Sequence, residues 1–193
     1  MSSKTTTITT DRLTLRPPNL ADAETIFSQY VSDAEVTRYL GWPRHTELTQ
    51  TQAFIEFSIE KWEQDQIGPY IILDKLTDTV IGGTGLELTE PGIASTGYVL
   101  ARDSWGRGYA TEALRAMVEL ARNRPIDTVF ALCHPEHAAS IRVLEKCDFH
   151  FDARLAGFIE FPNLQSRAAS DALKFVLSTK QGRTVNLKRS SQT

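Results

Sequence analysis

Between residues 95 and 121, a predicted strand, a glycine-rich turn and a strongly amphipathic helix follow one another directly. The helix is predicted because apolar residues recur at i, i+3, i+4, i+7, i+8 and i+11, namely Ala110, Ala113, Leu114, Met117, Val118 and Ala121. A helix with one such apolar face must bury it against another layer. The chain is therefore expected to be an α/β protein in which this helix covers a sheet.

The rest of the chain extends this pattern on both sides. Strands are predicted over residues 11–16, 70–73, 79–86, 95–101, 128–133, 149–155 and 171–178. Helices are predicted after the capping residue Asn19 and over residues 49–64, 110–121 and 136–146. This order is not the strict alternation of a doubly wound fold. It indicates a mixed α/β (α+β) fold, with a mostly antiparallel sheet of about seven strands and four flanking helices.

Length and composition bound the class of protein. A chain of 193 residues suits one domain, expected over residues 10–179, with flexible tails at 1–9 and 180–193, the second one basic. The net charge of -3 gives no reason to expect nucleic acid or an anionic membrane as a partner. No apolar run approaches the ~20 residues that span a bilayer. The polar N-terminus lacks the apolar region of a signal peptide, so a cytoplasmic protein is predicted, either a monomer or a homodimer.

Two cysteines, Cys133 and Cys147, lie in apolar surroundings without metal-ligand spacing. They are expected to be reduced core thiols, and no metal site is expected.

The glycine-rich turn, residues 102–111, has features of a phosphate site. A helix N-terminus carries unpaired N–H groups and the positive end of the helix dipole, which bind phosphates. Gly106 and Gly108 allow a tight turn and a close approach of the main chain to a ligand. Thr111 adds a hydroxyl group, and Arg102 and Arg107 add cationic side chains.

Other interpretations of this turn remain open. A P-loop requires Lys followed by Ser or Thr after its second glycine, and that pair is missing here. A dinucleotide-binding turn lies early in a βαβ unit, whereas this turn lies past the middle of the chain. The glycines could also serve only to connect a strand to a helix.

Four segments together resemble a known family. They are DRLTLR at 11–16, GYVL at 97–100, WGRGYATEAL at 105–114, and SIRVLEK at 140–146 followed by Phe149. In their order and spacing, residues 11–177 resemble the GCN5-related N-acetyltransferase (GNAT) superfamily, and in particular the branch of ribosomal-protein N-terminal acetyltransferases. Three positions differ: the general motif begins with Gln or Arg in place of Trp105, and the branch usually has Asn in place of His137 and Gly in place of Asp148.

The resemblance implies a splayed sheet that holds acetyl-CoA between the strands ending near Leu100 and Cys133. It implies that the main chain of Tyr98, Val99 and Leu100 pairs with the pantetheine arm. The pyrophosphate would bind along the matched segment, which comprises Trp105, Gly106, Arg107, Gly108, Tyr109, Ala110 and Thr111. His137 and Ser140 would lie near the thiol end of the cofactor, and Glu112 is interpreted as a structural residue.

The resemblance also implies a direct attack of an amine on the thioester. A main-chain N–H near Val99 or Leu100 would stabilise the oxyanion. Candidate bases are Glu87, His134 or an ordered water, and Ser140 is the candidate proton donor to the thiolate. Tyr39 and Trp42 lie where the family builds its acceptor site.

The acceptor would be a peptide N-terminus or a small-molecule amine. The alternatives are a CoA-binding sensor or scaffold without turnover and, less favoured by the motifs, an ATP-binding protein.

Overall fold

The computed structural model describes residues 7–65, 67–164 and 169–180, and these residues form an eight-stranded sheet with helices on both faces. The strands are β1 (Ile8–Thr9), β2 (Leu13–Arg16), β3 (Pro69–Asp74), β4 (Thr79–Glu90), β5 (Ile93–Leu100), β6 (Thr128–Cys133), β7 (His150–Ile159) and β8 (Ser170–Ser178). The longer helices are α2 (Leu48–Asp65), α3 (Tyr109–Arg122) and α4 (Ala138–Lys146). The expected mixed α/β architecture is confirmed.

The strand order is β1-β2-β3-β4-β5-β6-β8-β7, and every neighbouring pair is antiparallel except β5 and β6. Those two strands run parallel and pair only from Ile93 to Ser95, opposite residues 128–130. The chain crosses from β5 to β6 through α3, as a parallel connection requires. The one parallel pair is short and lies inside the sheet, with four strands on one side of it and two on the other.

The sheet has one strand more than the sequence predicted. Ile8 and Thr9 pair with Leu15 and Thr14, so these two residues belong to the sheet and the prediction of a tail over them is wrong. Main-chain pairing explains the difference, because a two-residue edge strand needs no hydrophobic pattern. Residues 1–6 and 181–193 of the expected tails lie outside the described residues.

Two layers of helix enclose the sheet. In β3, Ile72 packs into the cluster around α3, whereas Ile71 and Leu73 pack into the cluster around the first helical segment. This alternation follows from the period-two geometry of a strand. All the predicted apolar residues of α3 from Ala113 to Ala121 are buried, which confirms the predicted face. None of the helices in the described ranges is long and apolar enough to cross a lipid bilayer.

The first helical segment changes geometry along its length. It starts with a 3-10 turn (Leu20–Asp22), continues as helix α1 (Ala23–Ile26) and ends in a wider π turn (Phe27–Val31). Asn19 caps it as predicted, because its side chain accepts a hydrogen bond from the Ala21 N–H at 2.9 Å. The segment delivers the buried Tyr30 to a cavity under the sheet.

Candidate active site

A gap opens in the sheet where β5 and β6 separate beyond Ser95. The Ala101 N–H donates to the Ile81 carbonyl of the neighbouring chain segment at 2.8 Å. Antiparallel strands alternate the direction of their main-chain groups, so Val99 also pairs towards β4, while Tyr98 and Leu100 face the gap. This differs from the expectation for Val99, because its main-chain groups face β4 and not the gap.

The carbonyl of Leu100 already has a partner at this edge. The indole N–H of Trp105 donates to it at 2.8 Å, and this bond folds the exposed Trp105 back over the end of β5. The edge available to a ligand is therefore the N–H of Leu100 together with the main chain of Tyr98. The short parallel pairing that ends at Ser95 makes this edge possible.

The turn before α3 has the conformation that its glycines allow. Gly106 has φ 72° and Gly108 has φ 81°, both in the left-handed region. Gly108 is the N-cap of α3 and provides no side-chain hydrogen bond, while the Glu112 N–H bonds to the Gly108 carbonyl. The N–H groups of the first turn cannot bond within the helix. They are thus placed to receive an anion.

A groove of about 470 Å³ runs from this turn along α4. One face of α4 lines it, through residues at i, i+3, i+4 and i+7: Ala139, Arg142, Val143 and Lys146. Arg38 lines the groove from the loop after the first helical segment. These three cations were not predicted from the sequence. Arg142 and Lys146 are four residues apart, which places both on one face of α4.

The two arginines expected at the phosphate site lie elsewhere. Arg102 donates to both carboxylate oxygens of Asp33, at 2.7 and 2.8 Å, and is 3.0 Å from Glu35. Partial burial acts to raise the pKa of Asp33, but hydrogen bonds from Arg102 and from two main-chain N–H groups lower it overall. Arg107 is exposed, and its carbonyl accepts from Arg12 at 2.9 Å. Neither Arg102 nor Arg107 lines the groove.

Glu112 and Tyr109 fasten α3 to the start of the sheet. Glu112 accepts hydrogen bonds from the hydroxyl of Thr10 at 2.6 Å and from the Arg12 N–H and Nε, both at 2.8 Å. Burial acts to raise the pKa of Glu112, but these bonds lower it. The buried Tyr109 donates its hydroxyl to Asp74 at 2.8 Å. The structural interpretation of Glu112 is confirmed, and Tyr109 has only its main chain and ring edge for a ligand.

A second cavity, of about 450 Å³, is lined by residues of β5 and β6 beyond the point where the two strands separate. Its walls include Tyr39 and Trp42, the two residues expected at an acceptor site, and Tyr30, Ile159 and Phe161. The cavity and the groove share one wall. This wall is formed by Tyr39, Leu40, Tyr98, Val99, His137 and Ser140. We call the groove the cofactor groove, the second cavity the acceptor cavity and this wall the junction.

The junction carries three hydroxyl groups, from Tyr39, Tyr98 and Ser140, and the imidazole of His137. The hydroxyls of Tyr98 and Ser140 lie 2.9 Å apart, and Tyr98 also donates to the Ser140 carbonyl at 3.2 Å. Burial raises the pKa of Tyr98, which keeps the phenol protonated. His137 stacks on Tyr39, with ring centroids 5.0 Å apart. Burial lowers the pKa of His137, and the nearby His134 lowers it further. Ser140 and His137 are therefore brought together as expected.

The two candidate bases from the sequence are not at the junction. His134 is buried between Tyr39 and Phe161, its Nδ1 accepts from the Glu136 N–H at 3.1 Å, and it lines neither cavity. Glu87 is exposed opposite Ser95, where β5 and β6 are still paired. Before the strand pairing was known, the sequence could not show whether Glu87 lies beside the paired or the separated part of β5 and β6.

Asn163 is a positioning residue that the sequence analysis missed. Its side-chain amide donates to the carbonyls of Thr37 and Trp42, at 2.7 and 2.9 Å, and accepts from the Arg44 N–H at 2.7 Å. These bonds tie the segment after β7 to the loop that carries Tyr39. Both segments line the acceptor cavity, so Asn163 holds two of its walls together.

With this geometry in view, comparison with known proteins gives the family. A model of the acetyltransferase (GNAT) domain matches residues 12–150, most of the chain. The chain belongs to the GNAT acetyltransferase family. The splayed strands, the glycine turn before α3 and the matched residues all agree with this assignment, and the protein is an acetyl-CoA-dependent N-acetyltransferase.

Individual relatives agree with the family assignment. The chain is 33% identical to the uncharacterised N-acetyltransferase p20 of Bacillus licheniformis, over 79% of this chain and 86% of the relative. A GNAT-family acetyltransferase from Bacillus anthracis shares the fold, with TM-score 0.79, 20% identity and coverage of 91% of this chain and 99% of the other. The ribosomal L7/L12 α-N-protein acetyltransferase RimL, solved in complex with coenzyme A, has TM-score 0.77 and 18% identity, with coverage of 89% and 97%.

Proposed function

We propose that this N-acetyltransferase moves the acetyl group of acetyl-CoA to a primary amine, by direct attack within a ternary complex. The observation that carries the proposal is the junction. Two cavities of similar size meet there at Tyr98, His137 and Ser140. One cavity contains the anion-binding helix start, and the other is lined with apolar and aromatic side chains. Such a site suits two substrates that react without a covalent enzyme intermediate.

The described residues fit acetyl-CoA. The N–H groups after Gly108 suit a pyrophosphate. Gly106 and Gly108 have no Cβ that would block a ligand, and a Cβ built on Gly106 would meet no atom within 4 Å, so there is open space beside the turn. Arg142 and Lys146 add positive charge along the same groove. The main-chain edge at Tyr98 and Leu100 suits the amide groups of a pantetheine arm. The family relative RimL binds coenzyme A in a similar fold, which supports this assignment.

Acetyl-CoA supplies an activated acyl group with a thiolate as the leaving group. The amine nitrogen forms a bond to the acetyl carbon as the carbon–sulfur bond breaks, and the products are an amide and CoA. The protein positions the two reactants, which accounts for much of the rate gain when reacting atoms are held in contact. A main-chain N–H of this β5 edge that the pantetheine arm leaves free can donate to the carbonyl oxygen as negative charge develops.

Two protons must also move. The substrate ammonium loses one proton to become a nucleophile, and His137 is the basic side chain at the junction that can accept it. After attack the nitrogen loses its second proton, and one proton reaches the thiolate. The Ser140 hydroxyl can donate the proton to sulfur and take back the one that leaves nitrogen, with the Tyr98 hydroxyl 2.9 Å away to hold Ser140 in place. Since burial lowers the pKa of His137, the imidazole is neutral at pH 7 and ready to accept a proton.

Two measurements test the proposal in order. Calorimetric titration with acetyl-CoA, using ATP and NAD as controls, should show micromolar binding of acetyl-CoA alone. Thiol release in the presence of an amine panel should then show turnover. Ser140→Ala should reduce kcat by about 100-fold or more with little change in acetyl-CoA affinity, because general-acid catalysis typically contributes at least that factor. Binding without turnover on any amine or peptide would instead favour a CoA-binding sensor or scaffold.

A further inference from the structure

The acceptor cavity has an uncharged wall. Among the residues that the structure describes as lining it, none is Asp, Glu, Lys or Arg. All 24 Asp and Glu residues of the chain fall within the described ranges, because residues 1–6, 66, 165–168 and 181–193 include neither type. The residues outside the described ranges therefore contribute no Asp or Glu side chain to the wall of this cavity.

The titratable groups in the wall are neutral as well. Burial lowers the pKa of His45, and burial likewise lowers that of His137. Burial raises the pKa of Tyr70 to about 12 and that of the Cys133 thiol to about 11. At pH 7 these groups carry no charge, so the cavity provides no counter-ion for an ammonium group.

Two carboxylates, those of Asp22 and Glu136, lie close to the wall residues Tyr30 and Tyr39. Asp22 accepts from Arg16 at 2.7 and 2.8 Å. Glu136 is exposed, and the Tyr39 hydroxyl donates to its carboxylate at 3.5 Å. Neither one lines the acceptor cavity. A second ammonium group on a substrate would meet no Asp or Glu among the residues that line the cavity, and burial of an unpaired charge is strongly unfavourable.

Aromatic rings make up much of the wall, contributed by Tyr30, Tyr39, Trp42, Phe54, Tyr70 and Phe161. Flat apolar surfaces of this kind bind aromatic or branched apolar groups. A volume of about 450 Å³ matches a compact small molecule. A single amine directed towards the junction could rest against Tyr39, whose ring also stacks on His137.

We infer that the acceptor is a small primary amine carried on an uncharged aromatic body, and this inference rests on the proposed function. The same wall assists the chemistry. An apolar surrounding lowers the pKa of a bound amine and so favours the neutral form that attacks the thioester. Selection of the substrate and release of its proton thus come from one property of the cavity, its lack of charge.

The experiment compares kcat/KM for matched amines with saturating acetyl-CoA, followed by thiol release. The aromatic amine is 2-phenylethylamine, the doubly charged amine is 1,4-diaminobutane, and the peptide is a tetrapeptide whose sequence begins with Ala-Ser. We expect 2-phenylethylamine to be favoured over both by about 30-fold or more, the ratio that roughly 2 kcal/mol of discrimination gives. Equal or greater kcat/KM for the diamine or the peptide would overturn the inference.

A pair of variants separates cavity contacts from general effects on folding. Trp42 lines the acceptor cavity but not the cofactor groove, so Trp42→Ala should lower kcat/KM for 2-phenylethylamine by about 10-fold or more while acetyl-CoA affinity stays unchanged. Phe57→Ala is the control, since Phe57 is 53% exposed on α2 and lines neither cavity. It should change neither value.

The outcomes distinguish the two proposals. If acetyl-CoA binds and the diamine or the peptide reacts best, the proposed function stands and the inference about the acceptor fails. If acetyl-CoA binds and no amine reacts, the inference fails and the sensor alternative gains. If acetyl-CoA does not bind, the proposed function fails, and the inference that rests on it fails too.

Discussion

Replacement of Gly108 tests the placement of the pyrophosphate. Gly108 caps α3 with φ 81° and lines the cofactor groove. A Cβ built there would meet only Arg12 Nη2, at 3.5 Å, which is ordinary contact. The cost of a side chain is thus mainly conformational. It is about 1–2 kcal/mol for most residues in the left-handed region and less for Asn or Asp, which tolerate that region best.

The comparison of Gly108→Asp with Gly108→Asn isolates charge. The two variants have nearly the same shape and conformational cost, so they should have similar melting temperatures. An Asp about 5 Å from one phosphate charge is repelled by about 3 kcal/mol at an effective dielectric constant near 20. Exposure of the turn and salt reduce this to about 2 kcal/mol. The Asp variant should therefore bind acetyl-CoA about 30-fold more weakly than the Asn variant.

Isothermal titration calorimetry of the parent and both variants gives the dissociation constants, and thermal unfolding checks that all three are folded. A second set at high salt should narrow the gap between Asp and Asn, because the repulsion is screened. If the two variants bound acetyl-CoA equally well at low salt, the pyrophosphate would not lie at the start of α3.

Three further perturbations follow from the site. Glu112→Gln should destabilise the fold by about 1–2 kcal/mol at pH 7, because it weakens the bonds to Thr10 and Arg12. Since the folded pKa of Glu112 is lowered from 4.5, the difference in unfolding free energy should be full above pH 4.5 and shrink as acid titrates the folded carboxylate; a gap independent of pH would contradict this. Asn163→Ala should raise KM for the amine with little effect on acetyl-CoA affinity, and an equal loss of both in steady-state kinetics would argue against a positioning role. The acidic limb of the kcat/KM profile should titrate below pH 6.5, the ordinary value for His137, and His137→Gln should abolish that limb if this imidazole accepts the proton.

Elements with a strong periodic pattern were predictable from the sequence. The apolar face of α3 and the strand over residues 128–133 agree with the structure because burial there depends on regular spacing. The glycine turn was also predictable, since the left-handed conformation of Gly106 and Gly108 strongly favours glycine. Strand ends were less so: β4 extends to Glu90 and β7 to Ile159, because pairing with neighbours decides where a strand ends.

The partners of charged side chains could not be predicted. Arg102 lies next to the glycine turn in sequence, yet it bonds to Asp33, 69 residues away. Arg142 and Lys146 lie along the cofactor groove although nothing adjacent in sequence indicates a ligand. Asn163 makes its bonds across more than 100 residues. Such contacts depend on how the loops fold over the sheet, and local sequence carries little information about that.

The shared wall at the junction has a thermodynamic consequence. Tyr39 and His137 line both the cofactor groove and the acceptor cavity, so on the proposed function both substrates would contact the same two rings. If the first ligand orders these rings, binding of the second ligand no longer includes the entropic cost of ordering them. The two affinities are then linked, and linkage is reciprocal: the factor by which acetyl-CoA tightens the amine equals the factor by which the amine tightens acetyl-CoA. The concentration of acceptor around the protein thereby sets how much cofactor it holds.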